Sequence, residues 1–139
     1  MSETSTIGGV DADVELRLPA DGAYASVLRT LTAGLAARLD FTMDDIEDLR
    51  IAVSEAAAMV LDEADPGSDL LCRFRLEPAA LSLAIEVTAA APADPDYDSF
   101  GWQVLTTLTH SAQVNARPGS FAVHLMVLSS LDAAGGAGR

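Results

Sequence analysis

The order of hydrophobic patterns in the chain predicts an α+β two-layer sandwich, a mixed sheet covered on one face by helices. Three observations lead there. Short runs of alternating apolar and polar residues come mostly in hairpin-like pairs, with no repeated strand-helix-strand alternation. Two longer stretches with apolar residues three or four apart follow one another near the N-terminus. Half of the 139 residues are hydrophobic, which suits one domain with a real core and leaves too little chain for two.

The elements can be taken in order. Val14, Leu16 and Leu18 alternate with Asp13, Glu15 and Arg17, a half-buried strand closed by Pro19. Tyr24, Leu28, Leu31, Leu35 and Leu39 form the stripe of a first helix, which tolerates Gly34. Asp40 and Phe41 make the break. Thr42 with Asp45 three residues on is a helix-start pattern, and Asp44 and Asp45 put negative charge on the positive helix end. Ile46, Leu49, Val53, Ala56 and Val60 continue that second helix, which should fade near Ala64, ahead of Pro66 and Gly67.

Two strands follow, one with Cys72, Phe74 and Leu76 alternating and one with Leu81, Leu83, Ile85 and Val87, joined by a turn at Pro78-Ala79-Ala80. Thr88 to Ser99 is rich in small residues, acids and prolines and reads as an irregular loop. Phe100 to His110 reads as a short helix. A last hairpin pairs Ala112–Ala116 with Phe121–Val127 through Arg117-Pro118-Gly119-Ser120. The resulting boundaries are a flexible N-terminus over 1–12, one domain over 13–129 and a flexible tail over 130–139.

The formal charge is -13, which repels nucleic-acid phosphates and anionic lipid and would attract a basic partner surface. Direct binding to nucleic acid or membrane is therefore not expected, although simple solubility also explains an acidic surface. Met1 to Asp13 lacks the basic start and apolar stretch of a signal peptide, and no apolar run is long enough to span a bilayer. With a single cysteine, Cys72, no internal disulfide can form. These readings together point to the cytoplasm.

The stretch from Tyr24 to Leu61 resembles the anti-sigma serine kinases of bacterial stress-response and sporulation control, members of the histidine-kinase-like ATPase (GHKL) superfamily. The residues that carry the resemblance are Leu28-Arg29, then Gly34-Leu35-Ala36-Ala37-Arg38, then the run Thr42-Met43-Asp44-Asp45-Ile46-Glu47-Asp48-Leu49-Arg50-Ile51-Ala52-Val53-Ser54-Glu55-Ala56. The resemblance implies the Bergerat fold of those ATPases, ATP with Mg²⁺ as cofactor, a homodimer, and two partners: a sigma factor and an anti-anti-sigma factor of the STAS class.

In that family the second helix carries a Glu and, one turn on, an Asn that ligates magnesium. Glu55 matches the Glu, as base or remnant of one, but Met59 stands at the Asn position. A thioether is a poor ligand for Mg²⁺, which takes hard oxygen donors. The family's Asp-x-Gly-x-Gly box is replaced by Thr88-Ala89-Ala90-Ala91-Pro92-Ala93-Asp94-Pro95-Asp96, which has no glycine. Asp94, Asp96 or Asp98 could offer a carboxylate there, with Asp94 the first of them, and Gly101 in Ser99-Phe100-Gly101-Trp102 is what remains of the phosphate-capping turn. The cofactor positions implied are therefore Glu55, Met59, Asp94 and Gly101, all degenerate, with ATP and Mg²⁺ bound weakly or not at all. No separate metal site is read.

Two function classes follow. One is a binding module that sequesters a sigma factor; the other is an active kinase that phosphorylates a serine of the anti-anti-sigma factor. The partner surface implied is Arg29 with Tyr24, Asp44 and Asp45. Plainer readings stand beside each: Arg29 as a solvated helix arginine, Asp44 and Asp45 as a favourable helix start, and Glu55 as an ion-pair partner of Arg50 or Arg73. Tyr97, Phe100 and Trp102 either plug the old nucleotide pocket or form a partner hot spot. His110 and His124 have no metal spacing and read as structural or surface residues.

Overall fold

Thr42 starts the longest helix by reciprocal bonding. Its hydroxyl accepts from the Asp45 amide at 3.1 Å, and the Asp45 carboxylate accepts from the Thr42 amide at 3.2 Å. This capping box satisfies two of the donors that a helix start leaves unpaired. The helix it opens, α2, spans Met43–Glu63. The helix before it, α1, spans Ala25–Arg38 and follows a 3-10 turn at Gly22–Tyr24. Asp40 ends α1 at φ 60, where the Phe41 amide reaches the Ala36 carbonyl and the Asp40 amide reaches the Ala37 carbonyl. That is the Schellman arrangement, and the buried Phe41 side chain locks it.

The computed structural model describes residues 6–7 and 9–130. Among these, β1 (Thr6–Ile7) pairs with β2 (Val10–Asp11), and five strands form the main sheet: β3 (Val14–Pro19), β4 (Asp69–Glu77), β5 (Ala80–Val87), β6 (Ser111–Arg117) and β7 (Ser120–Leu128). A third helix, α3, spans Phe100–Leu108. The strand order is β3-β4-β5-β7-β6. Every pairing is antiparallel, so the expected mixed sheet is corrected to an antiparallel one. The reason lies in the last hairpin. β5 and β6 run in the same direction, but β7 folds back between them and removes the parallel contact.

The α+β sandwich itself stands. One sheet face buries Cys72, Phe74, Leu81, Leu83, Ile85 and Val123 against Leu49, Val53, Ala56 and Val60 of α2. Each large aliphatic side chain removed from water there contributes roughly 1.5–3 kcal/mol. α1 packs on α2, while α3 packs on α2 and touches β6. Cys72 lies in this core, and burial pushes its thiol up to about 12, so it is not a reactive cysteine.

The opposite sheet face is polar. Arg73 pairs with Glu86 at 3.0 Å, and the Ser120 hydroxyl donates to the same carboxylate at 2.7 Å. Against this side the small β1–β2 pair buries Ile7, and Arg75 donates to the Asp11 carbonyl at 3.1 Å. Two strands thus occupy a stretch expected to be flexible. Of the expected C-terminal tail, residues 131–139 lie outside the described residues. Ser130 is described, and its amide and hydroxyl both donate to Asp45, at 3.0 and 2.9 Å.

Candidate functional site

Four candidate positions from three separate stretches come together. Glu55 and Met59 are one turn apart on α2, so their side chains share a face. Gly101, in the first turn of α3, sits directly over them. A Cβ at Gly101 would lie 2.9 Å from Met59 Cε and 3.0 Å from Glu55 Oε2. A side chain at this position would have to push aside the flexible ends of Met59 and Glu55, so the close approach favours a small residue here. Asp94 joins from the loop between β5 and α3: it lines a cavity of about 220 Å³ that Met59 also lines.

α3 is placed by its own cap. The Ser99 hydroxyl accepts from the Trp102 amide at 3.1 Å. The loop before it is fixed to the C-terminal end of α2 by carboxylates that accept its backbone amides. Glu63 takes the Ala93 amide at 2.7 Å, and Asp65 takes the Ala90 amide at 3.1 Å. Further along, Asp96 accepts the Asp98 amide at 3.0 Å. These loop amides are thus taken up by the protein's own acids.

The cavity has two kinds of wall. Met59, Tyr97, Trp102, Val114 and Phe121 supply apolar surface, with the Tyr97 and Trp102 rings edge to face at 5.0 Å. Asp62, Glu63, Asp94 and Asp96 supply carboxylates. Among the described residues no arginine or histidine lines it, and the chain contains no lysine. Sequence reasoning missed Asp62 and Glu63. The signal was present, because they stand three and four residues after Met59 and so share its helix face. Val114 and Phe121 had no such signal, since only the β6–β7 pairing brings them there.

Glu55 forms no ion pair among the described residues, which removes the readings that matched it with Arg50 or Arg73. Arg73 points to the other side of the sheet, toward Glu86. Phe100 is largely solvent-exposed and does not line the cavity; Trp102 and Tyr97 do.

The expected partner surface is divided. Tyr24 ends the 3-10 turn before α1 and Arg29 lies in the second turn of α1, with the exposed Val27 between them in sequence. Arg29 is half-buried and makes no hydrogen bond or ion pair among the described residues. Asp44 and Asp45 begin α2, beyond the far end of α1. Arg29 to Arg38 alone covers about 14 Å at the helical rise. Asp44 is exposed, whereas the Asp45 carboxylate is taken up by Thr42 and Ser130. Burial works against the Asp45 charge, but the bonds from Ser130 and Thr42 outweigh it and lower the pKa.

Comparison with known proteins follows the same lines. No protein-family profile matches the chain. A serine-protein kinase RsbW of Halalkalibacterium halodurans is 42% identical over 64 residues, which are 45% of this chain and 40% of that protein. Its counterpart in Bacillus velezensis is 43% identical over 51 residues, 37% of this chain and 32% of that one. The matched part thus spans well under half the length of these curated relatives. Among solved structures, the RsbU and RsbW domains of Rv1364c from Mycobacterium tuberculosis superpose with a TM-score of 0.66 over 84% of this chain and 31% of that one, at 14% identity. That likeness concerns the fold. The resemblance read from the two long helices is therefore borne out: over part of its length the chain is a sequence relative of RsbW serine-protein kinases, and over most of it the chain has the fold of a structure containing an RsbW domain.

Proposed function

We propose that this protein is an anti-sigma factor acting as a binding module: it sequesters an alternative sigma factor and yields it when an anti-anti-sigma (STAS) protein competes. The observation that carries the reading is Arg29. It is a half-buried arginine on α1 with no hydrogen bond or ion pair among the described residues. Arginine is a frequent interface anchor, and its fork of donors suits a partner carboxylate. The reading includes a cytoplasmic homodimer, for which the free edge strand β3 offers a surface. Among the described residues no helix is long and apolar enough to cross a membrane.

ATP with Mg²⁺, the cofactor the resemblance implies, does not fit these residues. The cavity offers carboxylates where a triphosphate needs donors and positive charge. Met59 supplies no hard ligand, and α3 is seated on Glu55 and Met59 through Gly101. No catalytic step is assigned here. The alternative, an active serine kinase, is favoured by one observation: Glu55, under Gly101, forms no ion pair among the described residues.

Two measurements test the proposal. Titration of the full chain with candidate sigma factors should give a complex that Arg29→Ala weakens at least tenfold, about 1.4 kcal/mol. Capture unaffected by that substitution would remove Arg29 from the interface. Calorimetry with Mg-ATP should show no micromolar binding, and radiolabel transfer to a STAS protein would replace the binding module with the kinase.

A further inference from the structure

We propose that the cavity between the end of α2 and α3 binds an organic cation, a guanidinium or alkylammonium group carried on an apolar stem. The inference goes beyond sigma-factor capture and does not require it. It begins from the cavity and its rings rather than from its charge. A volume of about 220 Å³ accommodates a group of several heavy atoms. Tyr97 and Trp102, edge to face at 5.0 Å, sit on one side, with Met59 and Phe121 completing an apolar lining. Aromatic rings attract cations through their negative faces, tryptophan most strongly, and a thioether adds a polarizable contact.

Charge then decides the sign of the ligand. Asp62, Glu63, Asp94 and Asp96 line the same space, and among the described residues no cationic side chain does. Two of these acids have structural duties, since Glu63 holds the Ala93 amide and Asp96 the Asp98 amide. Asp62 and Asp94 make no hydrogen bond or ion pair among the described residues and are the carboxylates available to a ligand. An anion would be repelled there and a neutral molecule would gain only the apolar contact. A metal ion is not the occupant the geometry supports, because among the described residues no three His, Cys, Asp or Glu side chains come together to hold one. A cation with an apolar stem uses both walls at once.

Trp102 provides the readout, because it is the chain's sole tryptophan and lines the cavity. Butylguanidinium should change its fluorescence saturably, and the uncharged isostere butylurea should bind at least tenfold more weakly. The Asp62→Asn/Asp94→Asn double variant, checked for unchanged circular dichroism and melting, should lose that preference. Raising the salt concentration should weaken the guanidinium and leave the urea unchanged. A second arm compares an acetylated Ala-Arg-Ala amide with its citrulline counterpart. A charge-dependent preference for the arginine peptide over butylguanidinium assigns the cavity to a partner's arginine, and the reverse order assigns it to a small molecule. The proposal is overturned if butylurea matches butylguanidinium, if the double variant binds as tightly as the parent, or if Mg-ATP binds more tightly than either cation. Its failure would leave Arg29-dependent sigma binding untouched, and failure of that binding would leave the fluorescence titration untouched.

Discussion

Two faces of α2 meet the rest of the protein in different ways. The face carrying Leu49, Val53, Ala56 and Val60 is fully buried against the sheet. The face carrying Glu55, Met59, Asp62 and Glu63 meets α3 and the loop from Thr88 to Ser99 through a glycine, a thioether and backbone amides held by carboxylates. The first contact is held by apolar area; the second adds a few atom-to-atom positions to the apolar packing of Leu105 and Trp102. Stability and site geometry are therefore separable in one helix, and substitutions can pull them apart.

The largest effect should come from the buried face. Leu49→Ala removes a fully buried side chain and should cost about 2–5 kcal/mol, read as a lower urea midpoint with an unchanged slope. Trp102 emission of the folded fraction should stay the same. A shift in that emission would mean the two faces are coupled and the separation is false.

The next effect should come from the other face. Gly101→Val places branched carbon against Met59 Cε and Glu55 Oε2 and should cost about 1–3 kcal/mol by overpacking. Here Trp102 emission should move, because α3 must lift or Met59 must turn. Adding Met59→Ala should restore much of the loss, giving a favourable coupling in the double-mutant cycle. Additive behaviour of the pair would show that Met59 is not what α3 rests on.

The same contrast explains what the sequence made legible. Apolar spacing fixed both long helices within a residue or two, because the face that packs on the sheet repeats at the helical period. The strand pairs were readable for the same reason, at period two. Antiparallel closure was not, because it depends on β7 lying beside β5, a contact between residues about forty apart with no local signature. At the site, Glu55, Met59, Asp94 and Gly101 were found through the resemblance, position by position. Their convergence depends on how α3 is capped and on which acids hold the loop. Asp45 shows the converse: its helix-start role was legible, while its bonds to Ser130 follow from where β7 ends.

Asp45 also gives a prediction of middle size. Thr42→Ala should cost about 1 kcal/mol through loss of the cap. The pH dependence has a definite sign. The folded-state pKa of Asp45 is lowered from 3.8, so its contribution is present above that value and lost as pH falls through the folded one. Glu86 behaves alike below 4.5: burial opposes its charge, but the bonds from Ser120 and Arg73 prevail. Burial lowers His124 from 6.5, so the unfolded chain takes up that proton first and acid favours unfolding there too. Melting temperature should therefore fall from pH 7 toward pH 3. Asp45→Asn should flatten the curve below about pH 3.8 and Glu86→Gln should flatten it below about pH 4.5, the ordinary values from which the two groups are lowered. A curve that keeps its slope in both variants would assign the acid sensitivity to other groups.

The smallest effect belongs to the edge of the sheet. Arg17 approaches Asp69 at 3.5 Å, with the two side chains 60% and 49% exposed. Water screens such a pair, and holding two mobile side chains in one geometry costs entropy. Arg17→Ala should change stability by less than about 0.5 kcal/mol, within the spread of surface substitutions. The pair of Arg73 with Glu86 lies nearer 25% exposed, at 3.0 Å, and shares its carboxylate with Ser120. Arg73→Ala should therefore cost more than Arg17→Ala, because it leaves a sheltered carboxylate short of a donor. Equal costs for the two substitutions would mean that solvent reaches the centre of this sheet face as freely as its edge.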